Sequence, residues 1–359
     1  MSRRVPPILA IVAALAALAG PRPALANPGL EGIRNLSVGD ATRASAIGVA
    51  AYFANPAAMS LGRRLEIQSN YQAAIERNTH GFGVAAVDSM NSSRVALGLG
   101  YSSMIGVPRI AFEEAGADAP HELRLAHRAN EVGLGISVTV VKGWLSIGIK
   151  PKYQSSTLRF YDDDDARRDA QATFHAFGFD AGAVLSILGW VNLAVVGYNL
   201  SGPKAPAYTG DRELNLDPYA PVEGSVDHRL LPRISDYPRA FSHGLAVFPL
   251  RRLNLSFNLD TTYDFTSFAD QGFVRKTVAL GGEYVLGKLA LRAGGGWDSR
   301  GRGVDDDRGY VAGGLGFLLG AEPGKVGAEA TLGFRRQVSG PLPETFVGAN
   351  LGISFNPGY

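Results

Sequence analysis

The strongest constraint on this chain is an alternation of apolar and polar residues with a period of two, running from about Arg63 to Phe355. In the last segment Val347, Ala349, Leu351, Ile353 and Phe355 fall on one face, with Gly348, Asn350, Gly352 and Ser354 on the other. That period belongs to a β-strand whose two faces meet different surroundings. The connections alternate as well. They are tight at Lys142-Gly143, Leu188-Gly189, Arg251-Arg252 and Gly287, and long at 106–125, 161–171 and 202–236. Strands joined in this way point to an antiparallel barrel that crosses a membrane.

About fourteen strands are predicted, near 63–76, 80–89, 94–105, 126–141, 144–160, 172–187, 190–201, 237–250, 253–265, 271–286, 288–298, 308–320, 325–338 and 343–355. A soluble sandwich would show the same period with its faces exchanged. Two features favour the membrane. Strands of roughly 10–16 residues are long for a sandwich, where about five or six is usual, but suit a tilted span. Trp144 and Trp190 each follow a short turn, where an interfacial aromatic belt would lie. Hydrocarbon offers backbone groups no hydrogen-bond partners, so such a sheet has to close on itself. The fold expected is all-β: a transmembrane antiparallel β-barrel over 63–359, with an N-terminal segment in its lumen.

Residues 1–26 read as a secretory signal peptide. Arg3 and Arg4 open it, Ile8 to Ala19 form its apolar stretch, and Ala24-Leu25-Ala26 supply small residues for cleavage. The stretch is shorter than the ~20 residues of a membrane helix. Removing Arg3, Arg4 and Arg22 leaves 32 basic residues against 33 acidic, a balance that gives no reason to expect nucleic acid. The chain has no cysteine, which excludes disulfides, thiolate metal sites and cysteine catalysis. An exported barrel without membrane helices is expected in the bacterial outer membrane, with membrane lipid as its first partner.

Residues 27–62 break the strand rhythm. Small residues run from Ala41 to Ala51 and lead into Tyr52-Phe53-Ala54-Asn55-Pro56-Ala57-Ala58-Met59. Small side chains permit close packing and Asn-Pro favours a turn, so the segment is expected to fold into the lumen as a plug. In this run, Gly48 to Met59, the chain resembles the FadL/TodX family of outer-membrane transporters and the related PorV-like proteins. The resemblance rests on the small-residue run ending in the Asn55-Pro56-Ala57 motif just before the first strand. It implies a fourteen-stranded barrel with an N-terminal plug, and passive uptake of small hydrophobic molecules, fatty-acid-like or aromatic. Such ligands would be caught among the outer loops and leave sideways through the wall. The PorV-like branch implies instead a scaffold or shuttle for secreted or surface-attached proteins.

The remaining chemistry is mostly negative. Asp162 to Asp165 and Asp305 to Asp307 fall in expected outer loops but lack the ligand spacing of a calcium site. No two of the six histidines stand at metal-binding spacing on one element, and no cofactor or metal site is expected. No Gly-x-Ser-x-Gly elbow is present, so no catalytic residue is assigned and the chain is not read as an enzyme. Lys150, Lys152, Asp260, Asp264, Glu283, Arg292 and Glu329 fall on inward faces with mixed sign, as expected of charges that brace a plug. Inward glycines at 98, 100, 133, 135 and 148 would either leave internal room or admit closely packed backbone. Within the loop 202–236, Leu214, Leu216, Leu230, Leu231 and Ile234 are candidate ligand-entrance residues.

Overall fold

The computed structural model describes residues 32–356 except 77, 91, 93, 107–108, 113–120, 163–169, 202–206, 210–238, 251–254, 265–274, 300–306, 320–325 and 341–343. The expected signal peptide lies outside the described residues, as do Leu214, Leu216, Leu230, Leu231 and Ile234. The described chain begins with two short helices, α1 (Ile33–Ser37) and α2 (Gly48–Ala54), and a 3-10 turn over Pro56–Leu61. The strands follow: β1 (Leu65–Ala74), β2 (Thr79–Asp88), β3 (Val95–Gly106), β4 (Arg109–Phe112), β5 (His121–Val141), β6 (Leu145–Asp162), β7 (Ala170–Ile187) and β8 (Val191–Tyr198). Next come β9 (Ala207–Thr209), β10 (Ala240–Leu250), β11 (Leu255–Asp264), β12 (Arg275–Leu286), β13 (Leu289–Ser299), β14 (Arg308–Leu319), β15 (Val326–Ser339) and β16 (Thr345–Phe355).

Apart from the short β4 and β9, these strands are the fourteen staves of one closed antiparallel barrel. Each stave pairs with its neighbours in sequence, with β3 meeting β5 and β8 meeting β10 where the short strands intervene. β1 closes the circle on β16, in register from Leu65 opposite Phe355 to Ala74 opposite Phe346. Closure leaves no open ladder edge, which hydrocarbon requires.

The faces are inverted relative to a soluble protein. Leu99, Leu280, Leu332 and Leu351 are at least 60% exposed on the outside, while Ser137, Asp180, Asp260 and Thr331 are at most 1% exposed within. Half-exposed Trp144 and Trp190 ring the tight-turn end, and Tyr71 and Tyr153 the other. From Trp144 to Tyr153 along β6 is the ~9–11-residue interval of a tilted span. No described helix is long and apolar enough to cross a membrane; the crossing is made by strands.

The connection expected over 106–125 is partly strand. β4 pairs with the start of β5, from Arg109 opposite Arg124 to Phe112 opposite His121. β5, β6 and β7 thus run well past the Tyr153 level, and β9 adds to the outer edge of β7. The period of two continues through this projection, so periodicity alone does not reveal where the barrel wall ends and the projecting sheet begins.

Candidate functional site

The lumen is filled by residues 32–62. Alanine-rich Gly48-Val-Ala-Ala-Tyr-Phe-Ala54 has the composition of a helix and forms one. Asn55 ends it and caps the next turn: its Oδ1 accepts from the Ala57 amide at 3.1 Å, and Pro56 fills the first position, where no N–H is needed. The Asn55 amide group donates to the Arg43 carbonyl at 3.1 Å, so the motif also fixes the preceding loop. Asn55, Pro56 and Ala57 are all fully or almost fully buried.

Small side chains on the wall make this packing possible. Ala44, Ala46, Val49, Ala51, Tyr52 and Met59 share one apolar cluster with Ala85, Val87, Ala96, Val184, Ala194 and Ala246 of the staves. The inward glycines belong to the same contact. A Cβ on Gly100 would stand 2.5 Å from the Tyr52 ring, one on Gly135 2.7 Å from Met59, and one on Gly148 2.5 Å from the Ala57 amide. Of the two readings of these glycines, close packing is the correct one. The Tyr52 hydroxyl donates to the carbonyl of Gly133 at 2.8 Å, and Lys150 Nζ lies 5.1 Å from the centre of its ring. Below it, Ser137 donates to the Ala57 carbonyl at 2.8 Å, and its hydroxyl lies 2.9 Å from that of Ser60.

Charges fasten the segment at three further points, one of them Asp40 with Arg335 of β15. Arg43 meets Asp260 of β11 at 3.2 Å, and its backbone amide also donates to that carboxylate at 2.9 Å. Arg34 forms a two-pronged pair with Glu283 of β12, at 2.8 and 3.1 Å. Arg292 donates to the same carboxylate at 2.6 Å and reaches Glu329 at 3.4 Å. Lys150 and Lys152 depart from the sequence expectation. They pair within the wall, with Glu131 and Asp180 at 2.8–3.2 Å, and form a neutral tetrad beside Tyr52. The side chain of Asp264 lies outside the described residues. The sequence reading missed Arg34 and Arg43, although Arg43 is a lone cation in the small-residue run and inward acids stand elsewhere.

One stretch of wall differs from the rest. The β5–β6 ladder runs to Gly133 opposite Lys152, lapses, and resumes at Ile136 opposite Ile149. The gap falls at Pro151, which has no N–H to give to β5. The inner face of this seam carries Gly133, Gly135 and Gly148, so Tyr52, Met59 and Ala57 stand behind it, with Lys150 beside them.

The histidines near the outer ends are not brought together. His80 faces outward and bonds the Tyr71 hydroxyl at 2.7 Å, whereas His127 faces inward, 3.4 Å from the Ser156 hydroxyl. Among the described residues no group of three His, Asp or Glu is placed to hold a metal ion.

No protein-family model matches the sequence, and no curated protein matches it. The structure is similar to solved ones. Against the CymD monoaromatic hydrocarbon channel the TM-score is 0.62 at 12% identity, covering 93% of this chain and 100% of that one. This chain has the FadL/TodX-type barrel fold. The Ralstonia pickettii toluene transporter TbuX shares that fold with a TM-score of 0.62 at 12% identity, covering 90% of this chain and 98% of its own. A Pseudomonas aeruginosa FadL homologue shares it with a TM-score of 0.57 at 15% identity, covering 90% and 97%. The fold resemblance therefore extends far beyond the Asn55-Pro56-Ala57 motif on which the sequence reading relied.

Proposed function

We propose that this barrel, in the bacterial outer membrane, passes small hydrophobic molecules from the exterior into the bilayer, with residues 27–62 as its plug. The observation that carries this reading is a change of polarity above the Tyr153 level. Around that level the inward positions of β5 and β6 are polar, with His127, Glu131, Lys152, Gln154 and Ser156. In the projecting sheet the register continues that inward set through the apolar residue types Ile110, Leu123, Leu125, Leu158 and Phe160, with His121 and Asp162 beyond them. An apolar solute gains by leaving water for such a surface. The structural neighbours include proteins titled as monoaromatic hydrocarbon channels and toluene transporters, which fits the same chemistry.

Exit through the wall suits an apolar cargo better than exit into periplasmic water. The β5–β6 seam at Pro151 is the place for it: the proline has no N–H for the ladder, and Tyr52 and Met59 of the luminal segment back the gap together with Lys150. Leu214, Leu216, Leu230, Leu231 and Ile234 are proposed to extend the entrance. The barrel acts as a passage and not as an enzyme. A scaffold for secreted proteins draws no support from these neighbours.

The test is uptake of a radiolabelled monoaromatic hydrocarbon and of a long-chain fatty acid by cells lacking their own carriers. Faster uptake with the barrel, reduced severalfold by Leu125→Asn/Phe160→Asn, is expected. Uptake equal to that of cells without the barrel would refute the reading.

A further inference from the structure

The projecting sheet has a second face, whose outward register positions hold more arginines than acids among the described residues. Outward positions at the bilayer edge carry a hydrogen-bonded polar cluster. Tyr101 and Ser103 donate to Asn130 Oδ1 at 2.9 and 3.0 Å, Asn130 donates to Ser155 at 3.3 Å, and Tyr153 bonds His175 at 2.8 Å. Polar groups on a lipid-facing wall mark where hydrocarbon gives way to headgroups.

Immediately beyond this edge, the same outward set becomes basic. Arg128 stands opposite Thr157 and is exposed, without an ion pair among the described residues. One outward position further, Ala126 stands opposite Arg159, and one further again Arg124 stands opposite Arg109 across β4. Glu122, opposite Ala111, is the acid at the outward positions among the described residues. The register therefore gathers four arginines on adjoining strands, two of them directly opposed. Like charges opposed across a ladder destabilise it, and an anion between them reverses the sign. Arginine also suits phosphate in particular, because its planar fork donates to two oxygens at once.

We propose that the outward face of β4–β5–β6 binds the phosphate groups of phosphorylated lipids in the surrounding leaflet. The height fixes the source. By register these positions lie one to three outward steps beyond the hydrocarbon edge, the level of headgroup phosphates. Binding there would anchor the projection to the membrane and hold its other, apolar face over the mouth. The proposal needs only the membrane placement of the barrel and stands whether or not the barrel carries apolar cargo.

The full-length protein in mild detergent is incubated with a bis-phosphorylated glycolipid or with the same lipid dephosphorylated, and bound lipid is counted by native mass spectrometry. The expected result is retention of the phosphorylated form alone, falling tenfold or more in Arg109→Gln/Arg124→Gln/Arg128→Gln/Arg159→Gln. The single Arg128→Glu variant, in a well-paired part of β5, should lose several-fold and serves if the fourfold variant fails to fold. Equal retention of both lipids, or no loss in either folded variant, would overturn the proposal. Displacement of the lipid by inorganic phosphate at equal concentration would also overturn it, by making this a site for small anions.

Discussion

The Arg43 guanidinium and the Asp260 carboxylate, 217 positions apart in the chain, meet at 3.2 Å inside the barrel with side chains 9% and 1% exposed. One belongs to the luminal segment and the other to the wall, so this pair couples the plug to the staves. Removing one partner of a buried pair strands the other charge, at a cost of about 3–5 kcal/mol.

Asp260→Ala is accordingly expected to loosen the luminal segment without opening the barrel. Hydrogen exchange should quicken across residues 33–61 while the amides of β1 and β16 stay protected. The double variant Arg43→Ala/Asp260→Ala should exchange more slowly than Asp260→Ala alone, because no charge is left stranded. Equal exchange in the single variant and the parent would mean that the pair holds nothing.

The glycines divide into those that touch the luminal segment and those that do not. A Cβ at Gly148 would sit 2.5 Å from the Ala57 amide, whereas the first neighbour of a Cβ at Gly352 is 3.5 Å away. Gly148→Val should therefore cost about 1–3 kcal/mol or more through overpacking, and Gly352→Ala should be nearly silent. Urea titration of the barrel refolded into lipid vesicles would compare them. A Gly148→Val protein as stable as the parent would show that the segment yields at this contact.

The lipid face predicts its own asymmetry. Leu280 is 60% exposed on the outside of β12, and an arginine there would face hydrocarbon. Leu280→Arg should destabilise the folded barrel by about 2–4 kcal/mol near the bilayer centre and less near its edges. The same urea titration checks it, and an unchanged midpoint would place Leu280 outside the hydrocarbon.

The fold was legible because one physical signal repeats. Every stave shows the two-residue period, and tight turns such as Lys142-Gly143 separate them, so the stave count and most boundaries follow from the sequence. The face assignment was legible from strand length and from Trp144 and Trp190. Other features were not. The helices of the luminal segment are too short for a 3.6-residue period to declare itself, and α1 covers only Ile33–Ser37. The Arg34–Glu283 and Arg43–Asp260 pairs join residues more than 200 positions apart, and no local pattern announces such a contact. Lys150 and Lys152 were assigned to the plug because their sequence positions say inward but not toward which inward neighbour. Pro151 lies in an alternating strand where its missing N–H leaves no trace in hydropathy.

The account depends most on passage through the β5–β6 seam. With no native cysteine, Ile136→Cys/Ile149→Cys, opposed where the ladder resumes and leaving Pro151 in place, can be joined by a disulfide across that seam, and Leu259→Cys/Leu280→Cys, which face each other across β11 and β12, serve as control. Uptake of labelled monoaromatic hydrocarbon by vesicles carrying each variant would be measured oxidised and then reduced. The account predicts that oxidation slows uptake tenfold or more in the seam variant alone and that reduction restores it. Equal uptake by the oxidised and reduced seam variant would contradict it.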